Sequence, residues 1–333
     1  MRILPFLIVA ALLPTRGWAQ AVAPVPLAGG PPPGAMTSPP GLPVLVGQAP
    51  SMAPAQPLPP RAAAPPQATP PMAPPPAVGP GLVLTDWIPL DPENTLVIET
   101  TKGRIVIALR PEFAPLSVAR FKRLARAAFY DGLLFHRVVE GFMAQTGNPD
   151  NKDGGRSAEP DLPPEFTFRL GAEIPRSIAA RPQGESQGFI GASPYVSVEE
   201  QRMILSPDRR VAAWGAYCAG VVGMGRQADP YSGNSQFFIM RQTTRSLDRD
   251  YAPVGRVVAG LDVVRALNAG DPPLNPDKMI RVRVLADLPE NARPRVMVLN
   301  TLSPQFMAIV NQARLARGAD FSICDVEPPV LPG

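Results

Sequence analysis

The chain has 333 residues, including 46 prolines, one histidine and two cysteines, with Lys+Arg 32 against Asp+Glu 28 and a formal net charge of +4. No long basic run stands out, so a nucleic-acid interface, which needs cations clustered on one face, is not expected. One histidine and two cysteines fall short of the ligand sets that zinc sites use, so no metal and no cofactor is expected.

Residues 1–19 read as a signal peptide. Met1-Arg2 supplies the charged start, Ile3 to Leu13 the apolar stretch and Ala19 the small residue before the cut, with Gly17 at the −3 position. The apolar run is shorter than the roughly 20 residues that cross a bilayer, so no stable membrane span is expected after cleavage. A retained anchor is the alternative. The expected location is the periplasm or the exterior of the cell. Residues 20–85 read as a Pro/Ala-rich, disordered linker in which Arg61 is the only charged residue. Proline there removes backbone donors and blocks helix and central strand. The linker reads as a spacer or as a partner-docking arm.

The folded domain is expected over 86–288. Thr95–Thr100 and Arg104–Leu109 alternate around Lys102-Gly103, which predicts a β-hairpin. From Pro115 to Phe129, Val118, Phe121, Leu124, Ala125 and Ala128 recur at helical spacing. Strands are expected at Leu133–Val139, Gly220–Met224, Gln236–Met240, Val254–Val258 and Ile280–Leu285, with a short helix at Leu261–Ala266. Many short strands with two helices suggest a barrel or sandwich with helical caps. Residues 149–217, rich in Pro, Gly and charge, read as a long loop insertion. A C-terminal extension, 289–333, carries a predicted helix at 304–317. Ser303 serves as its cap, Pro304 suits the first turn, and Phe306, Ile309, Val310 and Ala313 form its apolar stripe.

Two segments concentrate unusual residues: FHRVVEGFMAQTG (Phe135–Gly147) and MGRQADPYSGNSQFFI (Met224–Ile239). A turn at Gly141 would bring Gln145 back toward Arg137. Alternation would put Gln236 and Phe238 on one face and Phe237 on the other. Both segments, in this order, resemble the two signature stretches of the cyclophilin-type peptidyl-prolyl cis-trans isomerases, especially the bacterial exported branch. The resemblance runs from about Asn94 to Asp287. It implies a mainly β fold, a closed eight-stranded antiparallel barrel capped by two helices.

It also implies a chemistry. An Xaa-Pro bond resists rotation through amide resonance, with a barrier of about 18–20 kcal/mol. A cation on the prolyl nitrogen localises the lone pair, and by resemblance Arg137 supplies it. Gln145 would orient Arg137 and contact the rotating carbonyl. Phe142, Met143, Phe238 and Leu247 match the proline pocket, with Tyr251 beside it where others have His. Gly225, Arg226 and Gln236 match the groove for the substrate chain. No proton transfer or covalent intermediate is required. His136 is read as structural, on the opposite face of the strand from Arg137. Where many members carry Trp, this chain has Ser246.

The expected partners are unfolded or exported polypeptides with Xaa-Pro bonds, and a monomer is expected. The alternative is a catalytically weak module that binds Pro-containing partners. A serine hydrolase on Ser235 and His136 is disfavoured, because Gly233-Asn234-Ser235-Gln236-Phe237 lacks the last glycine of the G-x-S-x-G elbow. Cys218 and Cys324 can pair in an oxidising compartment or remain two buried thiols.

Overall fold

The computed structural model describes residues 86–152 and 154–331; the expected signal peptide 1–19 and linker 20–85 lie outside them. In chain order the first elements are β1 (Trp87–Pro89), β2 (Thr95–Thr100), β3 (Gly103–Leu109), α1 (Pro115–Arg126), β4 (Arg137–Val138) and β5 (Met143–Thr146). Then come β6 (Phe168–Leu170), β7 (Ser177–Ala180), β8 (Glu185–Ile190), β9 (Ser193–Val198) and β10 (Val211–Gly215). The chain continues with β11 (Val221–Met224), β12 (Phe237–Met240), β13 (Pro253–Ala259), α2 (Leu261–Arg265) and β14 (Met279–Val284). It ends with β15 (Met297–Leu299), α3 (Pro304–Arg317) and β16 (Val330–Leu331).

The fold is mainly β. An eight-stranded antiparallel sheet curls in the order β14-β2-β3-β13-β11-β12-β5-β4. Its two ends meet through a single bridge, Leu134 with Lys278, rather than a full ladder. Phe135 N–H donates to Asp277 O at 2.9 Å and Met279 N–H to Leu133 O at 2.9 Å. Period-two alternation places Leu96, Ile98, Ile105, Ile107, Phe237 and Ile239 in one interior cluster. Helix α1 closes this core with Val118, Phe121, Leu124 and Ala125, and Val264 of α2 joins it.

Helix α1 begins without a side-chain cap, because Ala114 stands at the cap position. Glu165 substitutes from outside the helix. Its carboxylate accepts from Leu116 N–H at 2.9 Å and from Ser117 N–H at 2.7 Å. A negative charge there also complements the positive end of the helix dipole.

The stretch 149–217, read from sequence as a long loop, is a loop only in its first part. Residues 168–215 build a separate five-stranded antiparallel sheet, ordered β6-β10-β9-β8-β7. These strands are three to six residues long and rich in Ser, Ala and Gly, so hydrophobic alternation is faint in the sequence. The extension likewise exceeds the expected helix, since β15 pairs with β1 on one side and β16 on the other in a third small sheet. Val296 and Val298 cover Val106, Ala108 and Val258, which explains why the middle of β3 is buried on both faces. Helix α3 spans the expected residues, and Ser303 accepts from Phe306 N–H at its start.

Candidate active site

The β4–β5 connection sets the site. Gly141 adopts φ +68°, in the left-handed region that favours glycine. Phe142 N–H donates to Val139 O at 3.1 Å and Val139 N–H to Met143 O at 2.9 Å, closing the turn. The returning strand pairs Gln145 with Arg137. The next ladders pair Phe238 with Gln145 and Gly223 with Phe238. Directly opposed residues of an antiparallel pair share a face. Arg137, Gln145, Phe238 and Gly223 therefore form one row across four strands, on the outer face of the barrel. Phe237 and Ile239 point the other way, into the core.

At one end of the row, the Arg137 Nε–H donates to Asp271 Oδ2 at 2.8 Å. Asp271 is carried there by paired backbone bonds between Val138 and the adjacent Gly270, both 2.8 Å. Beside Arg137, Gln145 donates from Nε2 to Gln236 Oε1 at 2.8 Å, and Gln236 donates from Nε2 to Gly155 O at 2.7 Å. This amide relay ties the row to the insertion.

At the other end gather the apolar side chains matched to the proline slot. Met143 and Phe238 are buried, Phe142, Leu247 and Tyr251 are half-buried, and all five belong to one cluster distinct from the barrel core. Phe238 is held between two rings. Tyr217 stacks on it with centroids 5.7 Å apart, and Tyr251 meets it edge-on at 5.3 Å. Gly223 is required here, because a Cβ would stand 2.5 Å from Phe238 Cζ and 2.6 Å from Tyr217 Oη.

Tyr217 was not singled out from sequence. Its only sequence signal is an aromatic residue just before Cys218 and the Gly220 strand. Its N–H donates to Asp248 Oδ1 at 2.8 Å, and its carbonyl accepts from Thr244 N–H at 2.9 Å. Burial, reinforced by the charge of Asp248, pushes its phenol well above the ordinary value, so the ring stays neutral. Burial also raises the Asp248 carboxyl, against the opposing pull of Arg245.

Of the residues matched to the chain-binding groove, Gln236 lines the row beside Gln145. The Gly225 N–H is already donated to Gln236 O at 2.7 Å. The Arg226 side chain braces the wall instead of facing the slot as a free cation. It donates to Asp250 and lies over the Tyr251 ring at 4.6 Å and the Phe166 ring at 5.4 Å. Ser246 is exposed, and no Trp wall stands there. Asn234 holds the first part of the insertion, accepting from Ser157 and donating to Glu159 O and Asp161. The Ser235 hydroxyl is fully buried with no partner among the described residues, which removes it as an exposed nucleophile. His136 is buried, as expected for a structural residue.

Cys218 and Cys324 are joined in a disulfide, with Cα atoms 5.1 Å apart. The bridge ties the extension to the strand that follows Tyr217. Phe306 and Val310 of α3 and Ile323 share the apolar cluster of the slot.

Comparison with known proteins decides what this arrangement belongs to. Residues 95–284 match the family model described as cyclophilin type peptidyl-prolyl cis-trans isomerase/CLD. The chain belongs to the cyclophilin-type peptidyl-prolyl cis-trans isomerases. A probable peptidyl-prolyl cis-trans isomerase of Brucella suis is 34% identical over 213 residues, covering 59% of this chain and 85% of that protein. Its counterpart in Brucella abortus is 33% identical over the same length. The crystal structure of cyclophilin AquaCyp293 from Hirschia baltica is 35% identical, covers 74% of this chain and 93% of its own, and superposes with a TM-score of 0.68. The enzyme is thus a cyclophilin-type isomerase whose substrates, as a class, are Pro-containing polypeptides. Among the described residues, no helix is long and apolar enough to cross a membrane, and no group of three His, Cys, Asp or Glu is placed to hold a metal ion.

Proposed function

We propose that this cyclophilin accelerates Xaa-Pro rotation in unfolded, exported polypeptides, with Arg137 as the catalytic cation. The observation that carries this reading is the row in which Arg137 and Gln145 face the same way as Phe238, in strict register. Phe142, Met143, Phe238, Leu247 and Tyr251 hold the prolyl ring in the slot. The Arg137 guanidinium then meets the prolyl nitrogen. Its donation draws on the nitrogen lone pair, weakens resonance with the preceding carbonyl and lowers the rotational barrier. The device works through a hydrogen bond from a cation and needs no proton transfer. Gln145, fixed through Gln236, keeps the amide edge of the row in place.

The reaction is tested in a peptide assay that follows cis-to-trans conversion. Arg137→Ala is expected to lower kcat/KM by about 100-fold or more, the scale of losing roughly 2.7 kcal/mol of transition-state stabilisation. Equal rates for the two proteins would remove Arg137 from the mechanism. Export is supported by the charged-then-apolar start of the chain and by a disulfide of the kind that persists in oxidising compartments. Fractionation of cells should recover the protein in the periplasm or medium with Gln20 as its first residue. Recovery in the cytoplasm with the apolar start intact would overturn the placement.

A further inference from the structure

Outside the active site, a cavity of about 500 Å³ lies against the outer faces of β2, β3 and β14. Residues 288–295, which lead into β15, wall its other side. Five arginines line it, Arg104, Arg281, Arg283, Arg293 and Arg295, against a single carboxylate, Glu99. The lining charge is therefore 5 − 1 = +4.

The pairing within this set is incomplete. Glu99, opposed in register to both Arg104 and Arg281, forms its ion pair with Arg104 at 2.7 Å. Arg283 is held from behind by Asp131, which accepts both of its terminal nitrogens at 2.8 Å. Arg293 spends its donors on backbone, reaching Leu288 O at 2.9 Å and Ala286 O at 2.8 Å, and so pins the wall. Arg281 and Arg295 are exposed and form no ion pair with a carboxylate among the described residues; Asp131, paired with Arg283, acts on Arg281 only through its longer-range charge.

Guanidinium groups crowded around one space repel each other unless an anion fills it. The volume falls in the range of small-ligand sites, about 300–1,000 Å³. A peptide carboxylate brings one charge per side chain, whereas phosphate concentrates more than one charge on a few oxygens that match the guanidinium fork. The lining has no aromatic ring on which a nucleobase would stack. The chain's own linker cannot be the anion, since Arg61 is its only charged residue. We propose that this cavity is a binding site for a multiply charged phosphate group, borne by a free polyphosphate or by a lipid headgroup.

The test is calorimetry of the purified protein with tripolyphosphate at 50 mM salt, and flotation with phosphatidic acid vesicles, whose headgroup is a phosphomonoester, against phosphatidylcholine vesicles. Wild type is expected to bind tripolyphosphate, and Arg281→Gln/Arg295→Gln to bind it at least tenfold more weakly, with Arg295→Gln alone losing part of that. Flotation with phosphatidic acid vesicles that tripolyphosphate competes away supports the site and makes lipid headgroup the source. Response to tripolyphosphate alone supports it with a free polyphosphate. The double variant should keep its melting temperature and its isomerase turnover within twofold, which separates this site from the proline slot. No binding of either probe, equal binding by wild type and variant, or tighter binding of an oligoglutamate peptide would overturn the proposal.

Discussion

Replacing Cys218 and Cys324 together by serine removes a link between positions 106 apart. In the chain-entropy model a loop of this length restricts the unfolded chain by about 16 cal/mol/K, or about 4.8 kcal/mol at 25 °C. The folded state loses less. Phe306 still meets Phe189 edge-on at 5.2 Å, and the apolar cluster around Val310 and Ile323 still docks the extension. The stability loss is therefore expected to arise mainly in the unfolded ensemble and to approach, without exceeding, that figure. For a domain of this size it corresponds to a melting temperature lower by roughly 10–19 °C at the upper bound. Tyr217 keeps its backbone bonds to Asp248 and Thr244, so turnover of a prolyl peptide at low temperature should change by less than about twofold. Urea unfolding of wild type with and without reductant, beside the double variant, measures the effect. Wild type under reductant should match the variant, and the variant should ignore reductant. Identical midpoints for oxidised and reduced wild type would refute the argument that the bridge constrains the unfolded chain.

Other perturbations address the site and the insertion. Asp271→Ala frees the Nε edge of Arg137 and is expected to lower kcat/KM by roughly fivefold, about 1 kcal/mol for an ion pair whose carboxylate is well exposed. Asp271→Asn, which keeps an acceptor oxygen, should recover most of it; equal losses would show that charge, and not orientation, is the contribution. Gly223→Ala forces Phe238 or Tyr217 to move and should raise KM more than it lowers stability, with an overpacking cost of about 1–3 kcal/mol. Unaltered peptide kinetics in that variant would mean that the slot tolerates ring movement. Burial acts to raise the Glu200 carboxyl, but hydrogen bonds from Arg176 and Tyr195 outweigh it and hold it below the ordinary carboxylate value. Because its folded value is depressed, Glu200 contributes stability that is present above its unfolded value, about 4.5, and is lost as pH falls through the folded value. Glu200→Gln should therefore lower stability by about 1–3 kcal/mol at neutral pH, with the gap to wild type closing under acid. A gap independent of pH in denaturant titrations would rule this linkage out.

Much of the candidate catalytic face was legible in the residues themselves. The turn at Gly141 and the period of two are local properties, so they place Gln145 opposite Arg137 and separate Phe238 from Phe237 without knowledge of any distant contact. The same holds for the β2–β3 hairpin and for α3, whose cap, first-turn proline and apolar stripe all lie within one short span. Tertiary structure alone decided the partners that come from far along the chain. Asp271 reaches Arg137 across 134 positions, Tyr217 slides beneath Phe238, and Glu165 caps α1 from the insertion. The strands of 168–215 were invisible for a related reason: short segments of Ser, Ala and Gly carry little hydrophobic alternation, and they gain strand structure only from the neighbours they pair with. Sequence periodicity records which face of an element is apolar. Which distant side chain comes to lie on that face depends on how the elements pack.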